Sequence, residues 1–386
     1  MRTIAVVTAG RSDFGIYRSL LDALSSDPEI DLRIIATGTH LSPEFGATAA
    51  MIAREGFAIA ERIEMLLSSD SPEGVGKSMG LGLLGFAQLF GRWRPDLMVA
   101  LGDRFEMAAA VLAALPAKIP VAHIHGGELT EGAIDDALRH ALTKLSHLHF
   151  VTTAEYGRRV LQLGEEPWRV TVCGAPALDG LNRSDWLTRE ELEAEFGLKL
   201  DERPLLVTFH PVTLEYEQTE TQIAELLAAL EESNLPSVFT APNADTAGRK
   251  VRAAICAFVA SHPNARFVEN FGQRGYFSMM KMALAMVGNS SSGIIEAASF
   301  GLPVVNIGNR QAGRVCGGNV LQTGGHRDEI LAAIRQAVTE PFRKSVKTLP
   351  NPYRAGTQSA AGIIAEKLKT VPLNESLLIK RFHDLP

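Results

Sequence analysis

The chain has 386 residues, of which 46% are hydrophobic and 21% charged, and its formal net charge is −6. It is too long for one ordinary domain and comfortable for two, it offers no basic field for nucleic acid or an anionic membrane surface, and no apolar run is long enough to span a bilayer. Three scattered cysteines, Cys173, Cys256 and Cys316, exclude a disulfide framework or thiolate zinc site; with an N-terminal apolar run too short for a signal peptide, they lead us to expect the cytoplasm.

The predicted elements begin with a strand over 4–8, a helix over 16–25, a strand over 32–37 and a helix within 43–54. β-Branched runs alternating with helical periods are the grammar of a parallel sheet. A Gly- and Ser-rich loop over 67–74 precedes a long helix to about Trp93, and strands recur at 97–101, 121–124, 148–151 and 170–173. The first half therefore reads as a doubly wound sheet of six or more strands. Between Pro176 and Pro204 the pattern turns charged and helical, with a capping box from Thr188 to Glu191, and the domain link is expected there. A second series follows, with strands over 205–209, 238–241, 266–268, 283–287 and 304–307 and helices near 219–232, 246–260, 275–281 and 293–300. The expected division is a first domain over 1–178, a second over 179–370 that includes a last helix at 357–369, and a tail over 371–386 that packs back across the first.

In open parallel sheets, ligands sit outside the carboxyl ends of the strands. The unusual polar residues of this chain fall there. Arg11 and Asp13 follow strand 4–8, His40 follows 32–37, and Asp103 and Arg104 follow 97–101. Glu128 comes after 121–124, His210 after 205–209, Asn243 after 238–241 and Ser290 after 283–287. We expect these groups to converge on one cleft, since ordinary surface residues would be spread over both ends of the sheets.

Gly288-Asn289-Ser290-Ser291-Ser292-Gly293 joins a strand to a helix and gathers hydroxyls, backbone N–H groups and the positive end of the helix dipole, which suits a phosphate. The alternative is that Ser-Ser-Ser only caps the helix. Glu296, one turn in, can reach a ribose hydroxyl, and Arg310 can return over the same spot as a charge-assisted donor. Asp103 either caps the next helix, its side chain accepting the Arg104 N–H, or does chemistry. His123 and His125 alternate along one strand face, but no third ligand stands at a matching spacing, so no metal is expected. Gly126 and Gly127 let the backbone approach a ligand, Glu128 projects from a turn, and Asp135 opens a helix. Several carboxylates in one place are the raw material for an acid and a base with separated pKa values. His210, stopped by Pro211, is suited to bind phosphate or give it a proton. No Gly-x-Gly-x-x-Gly follows the first strand, and neither a Walker lysine motif nor a Gly-x-Ser-x-Gly elbow occurs, which argues against dehydrogenase, P-loop and hydrolase readings.

The stretches Ala-Gly-Arg-Ser-Asp-Phe-Gly at 9–15, Gly-Thr-His-Leu-Ser at 38–42, Gly-Asp-Arg at 102–104, Gly-Gly-Glu at 126–128, Ile-Asp-Asp at 134–136 with Arg-His-Ala-Leu-Thr-Lys at 139–144, His-Pro-Val-Thr at 210–213 and the run 288–310 resemble, in order, the hydrolysing UDP-N-acetylglucosamine 2-epimerases. Members of that family serve bacterial sialic acid synthesis, form half of the animal bifunctional epimerase/kinase, or act on UDP-N,N'-diacetylbacillosamine for legionaminic acid. The resemblance implies an α/β protein of two Rossmann-like doubly wound domains, glycosyltransferase-B type, with no metal and no cofactor. It also implies a nucleotide-sugar substrate, no nucleic-acid or membrane partner, and a homodimer or homotetramer. It assigns Arg11, Arg104, Asn243 and Arg310 to the nucleotide or diphosphate, Ser290 and Ser291 to the phosphate turn, Glu296 to the ribose and His210 to the diphosphate side. Asp13, His40 and Ser292 complete the expected substrate contacts, and Asp103 and Asp135 match carboxylates implicated in proton transfer. One departure stands out: animal relatives read His-Ile-Glu-Gly-Gly-Glu where this chain has His123-Ile124-His125-Gly126-Gly127-Glu128, so the first glutamate's acid/base role passes to His125 or to Glu128. The implied reaction expels UDP, removes the C2 proton to leave a 2-acetamidoglucal, and hydrates that glycal with inversion at C2. The rivals are a glycosyltransferase, which needs no C2 base, and a non-catalytic nucleotide-sugar-binding protein.

Overall fold

The computed structural model describes residues 1–385 except 47, 70, 183, 184 and 243–245. Thirteen strands are assigned among them: β1 (Arg2–Thr8), β2 (Ile30–Thr37), β3 (Ile59–Ile63), β4 (Leu97–Leu101), β5 (Val121–Ile124), β6 (Leu148–Val151), β7 (Val170–Val172), β8 (Leu205–Thr208), β9 (Ser237–Thr240), β10 (Ala265–Val268), β11 (Ala285–Gly288), β12 (Val304–Ile307) and β13 (Val320–Thr323). They form a parallel seven-stranded sheet in the order β3-β2-β1-β4-β5-β6-β7 and a parallel six-stranded sheet in the order β10-β9-β8-β11-β12-β13. Each order reverses once, between β1 and β4 and between β8 and β11. A reversal leaves a crevice outside the carboxyl ends of the two strands that flank it.

The chain divides into two compact units, the first made of Met1–Glu128, Asp135–Gly180 and Tyr353–Pro386 and the second of Leu129–Ile134 and Leu181–Pro352. Alternate residues of β1 face opposite cores, Ile4 and Val6 on one side and Ala5 and Val7 on the other, as a strand buried on both faces requires. One core of the first unit is closed by the helices Arg11–Ser25 and Ala360–Thr370, the other by Pro72–Arg92, Phe105–Ala114 and Asp135–Leu145. In the second unit, helices Thr219–Ser233, Gly248–Ser261 and Arg327–Ala337 cover one face, and Arg189–Phe196 and Gly272–Met282 the other.

Two boundaries differ from the sequence reading. The helix Ala360–Thr370, placed by sequence in the second domain, belongs to the first, because Ile364 and Leu368 complete the core that holds Ile4, Leu20 and Leu24. The segment Leu129–Ile134, placed in the first, lies in the second: Arg314 Nε donates to the Leu129 carbonyl at 3.0 Å, and a Cβ on Gly132 would stand 2.9 Å from the Asn309 carbonyl oxygen. The last helix, Glu375–Leu378, is tied to the first unit by Arg169, whose guanidinium donates to the carbonyls of Ser376, Leu377 and Ile379 at 2.7, 2.8 and 3.1 Å. Lys380 Nζ donates to the carbonyls of Lys144 and Ser146 and pairs with buried Glu165 at 2.8 Å. Glu165 is held down to about 2, since His149, Lys144 and Lys380 together outweigh the upward push of burial.

Candidate functional site

In the first unit the reversal lies between β1 and β4, and the segments that follow these strands carry two linked polar clusters. After β1 the backbone enters the helix Arg11–Ser25 directly, and Asp13 folds back to accept the Ala9 N–H at 3.1 Å. Burial raises the Asp13 carboxyl, against the pull of Arg104 and that N–H. His40, after β2, is fully buried between the hydroxyls of Thr8, 2.9 Å from Nε2, and Thr48, 2.8 Å from Nδ1. Burial, aided by the charge of Arg11, depresses it to about 4, so the ring is neutral at physiological pH. Arg104 lies along the fully buried carboxylate of Glu106 with two bonds of 3.2 Å, one from Nε and one from Nη2. Sequence reading placed Asp13, His40 and Arg104 as substrate contacts; in this unit each also has an internal partner.

The second cluster begins after β4. Gly102 takes φ +70 to turn the chain, and Asp103 does not cap the helix Phe105–Ala114, whose N-cap is Arg104 without a side-chain cap bond. Instead Asp103 Oδ2 accepts from Arg139 Nη2. Arg139 is among the largest fully buried side chains, and its Nη1 donates to the His125 carbonyl at 3.0 Å and approaches Glu128 Oε2 at 3.7 Å. Asp135 stands one turn before Arg139 on the same helix. His125 and His123 do not share a face, because β5 ends at Ile124 and His125 adopts φ +67. His123 is spent internally: Nε2 lies 2.6 Å from the Gly102 carbonyl and Nδ1 lies 3.2 Å from the Thr143 hydroxyl, and burial drives its pKa down to about 3. The buried ring of His125 sets Nδ1 2.6 Å from Glu128 Oε1, which also accepts from the Thr152 hydroxyl at 3.0 Å.

In the second unit the equivalent position lies after β8 and β11. Gly288 takes φ +137, and a Cβ there would sit 1.9 Å from the Thr208 carbonyl oxygen, so only glycine lets the two chains pass. Asn289, fully buried, then holds the backbone of His210 by accepting its N–H at 2.7 Å and donating to its carbonyl at 2.8 Å. The Asn289 carbonyl in turn accepts from Arg310 Nη1 at 3.2 Å and Gln311 Nε2 at 2.9 Å. Asn289 thus gathers two of the expected substrate residues, His210 and Arg310, beside the serine turn. Ser290 caps the short helix Ser291–Ile295, accepting the Ser292 N–H at 3.4 Å, and Ser292 Oγ lies 2.9 Å from Ser290 Oγ and 2.7 Å from the hydroxyl of Tyr276. Burial raises that phenol to about 12. The helix is shorter than the sequence suggests, breaking at Glu296 into a 3-10 turn over Ala297–Phe300, so little macrodipole is available and hydroxyl and N–H donors carry the anion-binding potential. Glu296 is buried at that break. Asn243 lies outside the described residues. Sequence reasoning gave no role to Arg139, Asn289, Gln311 or Tyr276, although Arg139 and Asn289 sit in stretches already singled out, 139–144 and 288–310.

A family model described as UDP-N-acetylglucosamine 2-epimerase matches residues 22–369, and the chain belongs to that family. It is 41% identical over 324 residues to the GDP/UDP-N,N'-diacetylbacillosamine 2-epimerase (hydrolyzing) of Campylobacter jejuni, covering 83% of this chain and 84% of that one. Over 380 residues it is 36% identical to the UDP-N,N'-diacetylbacillosamine 2-epimerase (hydrolyzing) of Legionella pneumophila, covering 98% and 99%. The crystal structure of the UDP-GlcNAc 2-epimerase of Neisseria meningitidis bound to UDP-GlcNAc aligns with a TM-score of 0.79 at 20% identity, over 95% of this chain and 99% of that one, a likeness of fold.

Proposed function

We propose that this epimerase-family chain hydrolyses a UDP-2-acetamido sugar while inverting C2, releasing UDP and the free 2-epimer. The observation that carries this reading is the cluster of Asp103, Arg139, His125 and Glu128 at the carboxyl ends of β4 and β5. A displacement at C1 alone needs no such set of proton-transfer groups. In the proposed reaction Asp103, kept anionic by Arg139, takes the proton from C2; the C–H electron pair becomes the C1=C2 bond and the C1–O pair leaves on UDP. The serine turn, Arg310 and His210 of the second unit hold the charge that develops on the diphosphate. The glycal then receives a proton at C2 from the opposite face and hydroxide from water at C1. Asp135, on the same helix as Arg139, is a further carboxylate available to this exchange, and Arg11 and Arg104 are assigned to the nucleotide.

UDP-N-acetylglucosamine, giving N-acetylmannosamine for sialic acid-type sugars, is the primary reading of the sugar. UDP-N,N'-diacetylbacillosamine is the second, favoured because both curated relatives described above carry it in their names. Both substrates present the same 2-acetamido group and C2 proton. The test is the reaction of purified protein with each UDP-sugar in heavy water. The expected product has manno configuration with deuterium at C2, read by NMR before the free sugar can epimerise in base. Protium at C2 with retained gluco configuration would overturn the assignment even with rapid UDP release, and release that requires an added acceptor would indicate a glycosyltransferase.

A further inference from the structure

We propose that His125 and Glu128 act together in one proton transfer, in which Nε2 of His125 exchanges the proton on the second face of C2, and Glu128 is a positioning residue that fixes the tautomer of the ring and stabilises its imidazolium. The inference rests on the epimerase reading above. Three observations carry it. The Nε2 atom of His125 is buried and has no hydrogen-bond partner among the described residues, whereas Nδ1 is bound to Glu128 at 2.6 Å. A buried ring nitrogen left unpaired costs stability unless something else uses it. His125 is also one of four non-glycine residues with positive φ among the described residues, at +67, a conformation uncommon outside glycine. That backbone is held by a charged donor, Arg139 Nη1 on the His125 carbonyl at 3.0 Å.

The carboxylate accepts Nδ1–H, which leaves the lone pair of the neutral ring on Nε2 and makes that atom the site of protonation. Asp103 is bound to Arg139, a cation that holds a carboxylate in its base form, so the two proton-transfer groups have opposite characters: Asp103 receives the C2 proton and the His125 imidazolium delivers one. In the delivery step the Nε2–H bond breaks, the π electrons of the glycal form the new C2–H bond, and water adds its hydroxide to the cation left at C1. The proton of that water restores the imidazolium, and the proton held by Asp103 passes to the departing diphosphate or to solvent. The charged and titratable groups facing the pair include Arg139 from the helix Asp135–Leu145, His123 from β5 and, through Arg139, Asp103.

The positive φ makes His125→Gly a suitable test, because glycine accepts that backbone conformation without strain. The expected result is unchanged UDP affinity, turnover lower by roughly 100-fold or more, and partial recovery on adding imidazole. Glu128→Gln keeps an acceptor for Nδ1–H but loses the charge. It should lower kcat with little change in KM and move the alkaline limb of the kcat profile to lower pH. In 15N spectra of histidine-labelled protein without substrate, the neutral ring of His125, read at alkaline pH, should be the Nδ1–H tautomer. Normal turnover of His125→Gly, or loss without imidazole rescue in a folded, UDP-binding variant, overturns the role of His125. An unmoved pH profile in Glu128→Gln overturns that of Glu128. Wild type that gives deuterated manno product alongside either result leaves the epimerase reading standing, while wild type that never exchanges C2 removes that reading and this proposal together.

Discussion

The side chain of Asn289 and the backbone of His210 are joined by two hydrogen bonds, of 2.7 and 2.8 Å, in a place from which solvent is excluded. The geometry fixes where a histidine on one strand end stands relative to the serine turn on the neighbouring one. Replacing Asn289 by Ala leaves a buried N–H and a buried carbonyl unpaired, which should cost about 2–4 kcal/mol. Urea unfolding measures this, and a loss below about 0.5 kcal/mol would mean that the pair does not anchor the site.

Ser290→Ala with Ser291→Ala should weaken UDP binding by about 1–3 kcal/mol, because hydroxyl donors to phosphate are lost while the strand and helix remain. Calorimetry with UDP decides between a phosphate turn and a cap: unchanged affinity would leave Ser290 its observed contacts with the N–H and the hydroxyl of Ser292.

Gly288→Ala should destabilise the protein by more than about 3 kcal/mol, since its Cβ would stand 1.9 Å from the Thr208 carbonyl oxygen. Gly308 provides the control. It also has positive φ, +67, but open space around it, so Gly308→Ala should cost about 1 kcal/mol. Similar losses for both would show that backbone conformation, not the close approach, governs Gly288.

Asp103→Asn should bind UDP as wild type does and lose roughly 100-fold or more in turnover. The substitution keeps the shape of the side chain but removes the charge that faces Arg139. Equal losses of UDP affinity and turnover would mean that Asp103 organises the fold rather than taking a proton.

Stability should fall as pH drops below about 6.5. His40, His123 and His147 are depressed to about 4, 3 and 4, in each case first by burial. Between the unfolded histidine value and these folded values the unfolded chain binds more protons, so acid favours unfolding. Asp13 and Glu106, raised by burial, act in the opposite direction within the carboxylate range. His147→Asn isolates one contribution, because its amide oxygen can replace Nδ1 as acceptor of the Val121 N–H at 3.1 Å. The variant should flatten the dependence of unfolding free energy on pH by up to about 1.4 kcal/mol per pH unit between pH 6 and 5. An unchanged slope would show that His147 titrates normally in the fold.

The sheets were legible because β1, β4, β5, β8 and β12 are short β-branched or apolar runs buried on both faces, a pattern that no surface segment needs. The edge strands β3, Ile-Ala-Glu-Arg-Ile, and β13, Val-Leu-Gln-Thr, escaped notice, since half-exposed edges carry charge and polarity that read as loop. Strand-end residues such as Asp103 and Ser290 could be picked out by position alone. Arg139 could not: it lies within an amphipathic helical pattern, and what buries it are Asp103 and the His125 carbonyl, brought from other strands. The helix Ala360–Thr370 was legible as a helix but not as part of the first unit, because an apolar stripe does not say which of two sheets it will cover.

That last helix also sets an order on biosynthesis. The first unit draws Ile364, Leu368 and Leu377 into the core that contains Ile4 and Leu20, so its amino-terminal strands emerge from the ribosome long before the residues that seal them. The roughly 200 residues between Gly180 and Leu378 take about 10–40 s to translate at about 5–20 residues per second. Through that interval the apolar face awaiting Ala360–Thr370 is open to water, to chaperones and to other nascent chains, and the residues of the second unit, ending at Pro352, are complete before that helix has been made. The usual vectorial sequence, amino-terminal domain first, is reversed for the final packing step: the domain begun first is finished last.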